Sequence, residues 1–325
     1  MPESRFFTFD DPDQFGSAIR AGTYELFVKS RGDFRAELTR IDLERLWLQR
    51  ADTNLSWIMA ASVDSKRAPL LFLADADQAP LREDGMEVSP GEIVVFRRQA
   101  TNHSWTSGCC RQASMSLTHE DLAEAGEAIA GRELTAPLNT YVVRPPSAAM
   151  AQLTALHKAA GELAKKSPAV LANPGIAHAL EQKLVYAMVA CLSADAPAER
   201  RFCGLQHSRV INRFERFLET RQYQPVYLAE ICAAIGASER TLRTCCQEHY
   251  GMGPVRYLWL RRMHLARRAL LRAEAAGSTV TTIAADHGFW EFGRFSVEYR
   301  TLFGELPSVS LHRPPEMLRE RRAWQ

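Results

Sequence analysis

Ser238-Glu239-Arg240-Thr241-Leu242-Arg243-Thr244-Cys245-Cys246 begins with a residue that caps helices well. A helix opening at Glu239 turns Arg240, Arg243 and Thr244 to one outward face and Leu242 and Cys246 to the inward one. A guanidinium on such a face can donate two parallel hydrogen bonds to guanine O6 and N7, or grip a phosphate. A second set begins at Trp290, where Glu291, Phe292, Gly293, Arg294 and Val297 occupy the exposed start of another helix. Arg294 is its strongest base or phosphate ligand and Ser296 a phosphate ligand, while Phe292 and Val297 can meet thymine methyls. For Trp290 and Phe292, packing on a neighbouring helix is the favoured alternative. Thr279 is a further N-cap, and a helix N-terminus accepts a phosphate.

These residues sit in an internal repeat. Ile231-Cys232-Ala233-Ala234-Ile235-Gly236 recurs as Ile283-Ala284-Ala285-Asp286-His287-Gly288, shifted by 52. After one extra residue, Leu242 pairs with Phe295, Cys246 with Tyr299, and Gly251-Met252-Gly253-Pro254 with Gly304-Glu305-Leu306-Pro307. Each copy predicts a short helix with a small residue four before a turn glycine, then a second helix ended by Gly and Pro. That is a helix-turn-helix, whose second helix can enter a major groove.

Between the copies, Val255 to Ala273 contains neither Gly nor Pro. Val255, Trp259, Met263, Ala266 and Leu270 form an apolar stripe, with arginines on the rest. One such helix of 19 residues is about 28 Å long. With its turns it would set two recognition helices about one DNA turn apart, roughly 34–36 Å. Its Arg261 and Arg267 are phosphate-contact candidates, as are Arg262 and Arg268, with a solvated role the alternative. Charge agrees: residues 201–325 hold 19 Arg and no Lys against 12 acidic residues, a net +7, whereas residues 1–200 carry −5. A basic third on an acidic body suggests a polyanion partner for that third, although an arginine-rich solvated surface has the same signature.

From about Arg209 to Arg313 the chain resembles the DNA-binding domain of AraC/XylS-type transcriptional regulators. The resemblance is most specific at Thr279-Val280-Thr281-Thr282-Ile283-Ala284, Gly288-Phe289, Phe295, Tyr299, Leu302-Phe303-Gly304 and Pro307-Ser308. Gly288 to Phe295, Ser308 to His312, Arg240-Thr241-Leu242 and Arg256 to Arg262 look most like the ethanolamine-utilisation regulators. The resemblance implies that Ser238, Arg240, Thr241, Arg243 and Thr244 of the first copy face DNA. It also implies a cupin-like N-terminal barrel, a helical dimerisation element, contact with RNA polymerase, and activation as the usual outcome. The chain departs from the family at Thr244, commonly Arg, and at Cys246, commonly Phe.

The N-terminal part reads as short strands from about residue 20 to 120, among them Tyr24–Val28, Phe34–Leu38, Leu46–Leu48, Leu70–Leu73 and Ile93–Phe96. Ala148 to Ala194 reads as helix broken at Ser167-Pro168 and Asn173-Pro174-Gly175. There Leu180, Leu184, Ala187 and Cys191 form a stripe for the domain's own core or, less commonly, a dimer seam. Ala194 to Glu199 reads as a linker. His103 and His119 lack metal-site spacing, and His103 reads as a surface or turn residue. Asp75, Asp77 and Asp84 fall in turn-like segments. Cys109-Cys110 is a redox or metal sensor or, more commonly, an inert pair. No nucleophile-elbow, phosphate-loop or dinucleotide-binding motif is present, so no catalytic residue, metal or cofactor is expected.

The expected architecture is multidomain α+β. It comprises a cupin-like sensor barrel over 1–145, a helical dimerisation element and linker over 146–200, an all-α double helix-turn-helix over 205–313, and a tail over 314–325. The expected function is a cytoplasmic, homodimeric, sequence-specific regulator of double-stranded DNA, probing two successive major grooves and responsive to a small-molecule effector. No run approaches 18 apolar residues, and the N-terminus lacks the apolar core of a secretory signal, so no membrane role is expected. The rivals are a metal-dependent cupin enzyme fused to a DNA-binding domain and an architectural nucleic-acid binder without sequence preference.

Overall fold

Period-two alternation of buried and exposed side chains builds the strands, and proline and capping residues set the helix limits. The computed structural model describes residues 2–99, 101–193, 201–202, 205–221, 227–273 and 277–313. The expected linker and the expected tail lie outside them. Two units are separated by their internal contacts: residues 1–26 with 35–204, and residues 27–34 with 205–325.

The chain begins with β1 (Glu3–Phe9), α1 (Pro12–Ala18), β2 (Gly22–Val28), β3 (Ala36–Asp42), β4 (Trp47–Thr53), β5 (Trp57–Val63) and β6 (Arg67–Leu73). There follow β7 (Leu81–Glu83), β8 (Met86–Val88), β9 (Ile93–Val95), β10 (Thr101–Trp105), β11 (Cys110–Thr118), α2 (His119–Ala130) and β12 (Tyr141–Val143). Then come α3 (Ser147–Lys166), the single turn α4 (Pro168–Leu171), α5 (Pro174–Ser193) and β13 (Arg201–Phe202). The strands form an eight-stranded sheet, β1-β3-β4-β11-β6-β9-β12-β13, and a five-stranded sheet, β2-β5-β10-β7-β8. Each ends in unpaired edge strands, whereas a barrel requires its edges to pair with each other. The strands of the expected cupin-like barrel thus form, among the described residues, two open sheets rather than one closed barrel.

The helices stop where Pro168 and Pro174 were expected to break them. α2 has no counterpart in the sequence reading; Thr118 caps it, accepting from the Asp121 N–H at 3.0 Å. Leu184, Ala187 and Cys191 share one core with Leu48, Leu70, Phe72 and Met115 of the large sheet and Leu153 of α3, and Leu180 packs at its edge. The stripe thus serves the domain's own core. The 147–193 helices are part of the sheet's unit, each fully buried leucine contributing about 1.5–3 kcal/mol.

One buried carboxylate ties helix to sheet. Glu181 of α5 is fully buried. It accepts from the backbone N–H groups of Arg45 (2.8 Å) and Leu46 (3.2 Å) and from Arg45 Nε (3.3 Å).

His103 is buried in β10, between β5 and β7, rather than in a surface turn. Burial pulls its imidazole down to about 4. Asp75 is held below the usual carboxylate range by the Arg111 guanidinium, and Asp84 occupies the turn between β7 and β8 with φ +48°. Cys109 is exposed and Cys110 buried, and burial pushes the Cys110 thiol up to about 12. No cluster of three or more His, Cys, Asp or Glu among the described residues is placed to hold a metal. No described helix is long and apolar enough to cross a membrane.

The second unit carries α6 (Leu205–Thr220), α7 (Leu228–Ile235), α8 (Glu239–Tyr250), α9 (Pro254–Arg272), α10 (Val280–Asp286), α11 (Phe292–Phe303) and α12 (Pro307–Leu311). α8 packs on α6 and α9, and α9 also carries α10 and α12. Tyr250 and Tyr257 stack with ring centroids 4.0 Å apart. Both hydroxyls donate to Glu215 of α6, Tyr257 at 2.7 Å.

Removing the buried carboxylate in Glu181→Ala strands two backbone donors and is expected to cost about 3–5 kcal/mol of unfolding free energy. Glu181→Gln, which keeps one acceptor oxygen, is expected to cost less. Urea titrations of both variants check this, and a loss under about 1 kcal/mol in the alanine variant would contradict the assignment.

Candidate nucleic-acid interface

Two left-handed turns build the interface. Gly236 has φ +62° and Gly288 φ +75°, a region that costs an ordinary L-residue about 1 kcal/mol or more. The hydrogen bonds around the turns repeat with the sequence. Ala237 N–H donates to Cys232 O at 3.1 Å, and Phe289 N–H to Ala284 O at 2.9 Å. These pairs are 52 residues apart, as are Gly236 N–H to Ala233 O (3.4 Å) and Gly288 N–H to Ala285 O (2.9 Å). Past the turn the offset becomes 53: α8 starts at Glu239 and α11 at Phe292, and each ends on a left-handed glycine, Gly251 and Gly304.

The second helix of each copy buries one face and exposes the other. In α8, Leu242, Cys245, Cys246 and Tyr250 are completely buried, and Arg240, Arg243 and Thr244 are exposed. Ser238 caps the helix, accepting from the Thr241 N–H at 3.1 Å. The Thr244 hydroxyl donates to Arg240 O (3.1 Å), and Arg243 pairs with Glu239 at 2.6 Å. Arg240 makes no ion pair among the described residues, so its guanidinium is available without breaking one.

In α11, Phe295, Tyr299 and Leu302 face inward, and Glu291, Gly293 and Arg294 are exposed. Trp290 is 69% exposed, Val297 67% and Phe292 39%. The packing favoured for Trp290 is thus corrected: the tryptophan stands in solvent just before the helix. Ser296 turns its hydroxyl to Phe292 O at 3.0 Å. Thr279 caps α10, accepting from the Thr282 N–H at 3.0 Å. Glu298, which sequence reasoning missed, accepts from Arg294 Nε (2.9 Å) and from Trp259 Nε1 (2.8 Å). Burial raises its pKa, but the bonds from Arg294 and Trp259 outweigh that and hold it below the usual range. Its i, i+4 spacing from Arg294 was the available signal.

The strut α9 divides its arginines. Arg261 and Arg267, both named from sequence as phosphate contacts, are buried, with Arg267 over the Phe303 ring at 5.3 Å. Arg262 stacks over Phe289 at 5.2 Å and donates to Gly288 O at 3.2 Å, which braces the second turn. Val255 is exposed, so the expected stripe is also corrected; the inward face comprises Tyr257, Leu260, Met263, His264, Ala266, Arg267 and Leu270.

The family model of a helix-turn-helix domain matches residues 231–313. Over 99 residues the chain is 40% identical to the probable thc operon regulatory protein of Rhodococcus erythropolis, covering 30% of each chain. Over 101 residues it is 36% identical to XylDLEGF operon transcriptional activator 3 of Pseudomonas putida, covering 31% of this chain and 30% of that one. Residues 231–313 form an AraC/XylS-type helix-turn-helix domain. The match spans about a third of the length of these relatives. The AraC-like transcriptional activator CuxR, a solved structure, aligns with 87% of this chain and 100% of its own, at 16% identity and a TM-score of 0.41.

The AraC-type domain makes its two glycine positions testable. Gly288→Ala forces a left-handed alanine whose Cβ would lie 3.1 Å from Arg262 Nη1, and a loss of about 1–2 kcal/mol is expected. Gly293 is helical with open space around it, so Gly293→Ala is expected to be neutral or to stabilise by up to about 1 kcal/mol. Thermal unfolding of the two variants checks the contrast, and equal effects would refute it.

Proposed function

We propose that this protein is a sequence-specific, double-stranded-DNA-binding transcriptional regulator. The observation that carries the reading is the duplicated exposed face: Arg240, Arg243 and Thr244 on α8, and Arg294 with its apolar neighbours Phe292 and Val297 on α11. In this reading each helix enters a major groove, and the 19-residue α9 between them spans about 28 Å, which suits two successive grooves. Ser238, Thr241, Thr279, Glu291, Gly293 and Ser296 lie at or beside the same helix starts and approach bases or phosphates. Arg261 and Arg267, being buried, contribute by holding the strut.

Magnitudes favour DNA over the intrahelical pairs. An exposed ion pair such as Arg294–Glu298 is worth about 0.2–1 kcal/mol, and a bidentate arginine–guanine contact about 1–3 kcal/mol of discrimination. Releasing the glutamate therefore costs less than the base contact returns. Trp290 and Phe292 lose apolar surface to water only when a partner covers them.

The same reading makes the N-terminal sheets a cupin-like sensor for a small-molecule effector. The chain acts in the cytoplasm as a homodimer and activates transcription through contact with RNA polymerase. The similarity to an operon regulatory protein and to an operon transcriptional activator supports activation. An effector changes promoter occupancy only by binding one domain arrangement better than the other.

Selecting operators from a random duplex library, then comparing the winner with scrambled DNA at near-physiological salt, tests the proposal. A strong preference is expected, reduced roughly 5- to 150-fold in Arg240→Ala or Arg294→Ala with thermal stability intact. Equal affinity for both DNAs at every salt concentration would overturn specific recognition and leave an architectural binder.

A further inference from the structure

The two sheets of the first unit enclose a cavity of about 70 Å³. That is about half of the roughly 150 Å³ in which an engineered apolar cavity holds benzene, so an occupant has only a handful of heavy atoms. The strand register decides what faces it. Asn102 and Ser104 lie two apart on β10 and share a face; Ala61 and Met59 oppose them on β5, and Glu83 of β7 opposes Ser104. Leu38, Ala51, Pro69 and Leu71 line the cavity from the large sheet.

The polar lining differs in what remains unpaired. Gln49 spends both ends of its amide on the Arg20 backbone, accepting from N–H (2.8 Å) and donating to C=O (3.2 Å). Tyr24 donates to Arg20 O at 3.0 Å. The Arg20 guanidinium is bound to Asp42 and lies 5.2 Å from the Trp47 ring centroid. Asn102 is 1% exposed, and neither Nδ2 nor Oδ1 has a hydrogen-bond partner among the described residues. A buried amide with both ends unpaired is costly unless something supplies an acceptor and a donor together.

Charge narrows the class. Burial and the neighbouring Asp84 push the Glu83 carboxyl well above its usual range, which favours its uncharged form. A bound carboxylate would meet an arginine already paired with Asp42, and a bound ammonium would need the charged form of Glu83, which burial and Asp84 disfavour. An uncharged ligand pays neither penalty.

We propose that this cavity binds a small uncharged molecule through an amide-type edge, an N–H beside a C=O, laid against the Asn102 side chain. The C=O accepts from Nδ2, the N–H donates to Oδ1, and a short alkyl group lies among Leu38, Met59, Pro69 and Leu71. Simple carboxamides, lactams and ureas share this edge. The inference rests on the effector reading above, but it is tested without DNA, so failure of DNA recognition and failure of ligand binding are separate results.

The experiment titrates the ¹⁵N-labelled full chain with propionamide and acetamide, following the Asn102 side-chain amide signals, with propionate, propylamine and N,N-dimethylacetamide as comparison probes. Saturable shifts are expected with the two primary amides, and at least tenfold weaker binding of the other three. Asn102→Leu is expected to weaken propionamide binding at least tenfold while leaving the probe-free unfolding temperature unchanged or raised, because it removes an unpaired buried amide. A merely structural asparagine would instead lower that temperature. Propionate or propylamine binding as tightly as propionamide, or no binding of either primary amide, would overturn the proposal.

Discussion

The interface depends on a backbone constraint, the left-handed turn at Gly236 and again at Gly288. Each turn ends a short helix and aims the next, so that Leu242 and Cys246, or Phe295 and Tyr299, fall inward. Once those side chains are buried, the 3.6-residue period leaves no choice about the opposite face. Arg240, Arg243 and Thr244, and Arg294 and Val297, are exposed because their neighbours are core. The same hydrogen bonds recur around both turns with an offset of 52 residues, so one solution to helix packing is used twice.

Arginine has three roles within this domain. On α8 and α11 it stands on the surface, without an ion pair among the described residues as Arg240 or held by a glutamate one helical turn away, as Arg243 and Arg294 are. On α9 it serves packing: Arg262 braces the Gly288 turn and Arg267 lies over Phe303. An arginine side chain covers apolar surface along its stem as readily as it meets an anion with its head. A net +7 over residues 201–325 therefore overstates the cations available to DNA. The exposed pairs are weak enough to yield to a base or phosphate, so in the proposed function Glu298 competes with DNA for Arg294.

The first unit obeys the same accounting of buried polar groups with different results. Glu181 is fully buried but meets three donors on Arg45 and Leu46, joining α5 to the sheet. Asn102 is as deeply buried and meets none among the described residues. Paired, a buried polar group fixes the packing; unpaired, it marks a place where a ligand can complete the pairing. His103 is a neutral imidazole, kept uncharged by burial inside the small sheet.

Local pattern and repetition were enough to read the helix-turn-helix domain. The repeat from Ile231 and Ile283, the caps Ser238 and Thr279, and the breaks at Pro168 and Pro174 depend on residues close in sequence, and each has a short-range physical cause. The exposed faces of α8 and α11 follow from helical period alone. Tertiary structure decided what depends on distant partners. It placed Arg261 and Arg267 inside, left Trp290 and Val255 outside, and put the 147–193 helices into the sheet's core. It also left the sheets open and brought Asn102, Glu83 and Arg20 to one cavity from strands and loops far apart in the chain. A side chain's own type states what it can bond to, but whether water, core or another residue takes that bond is settled only when remote segments pack.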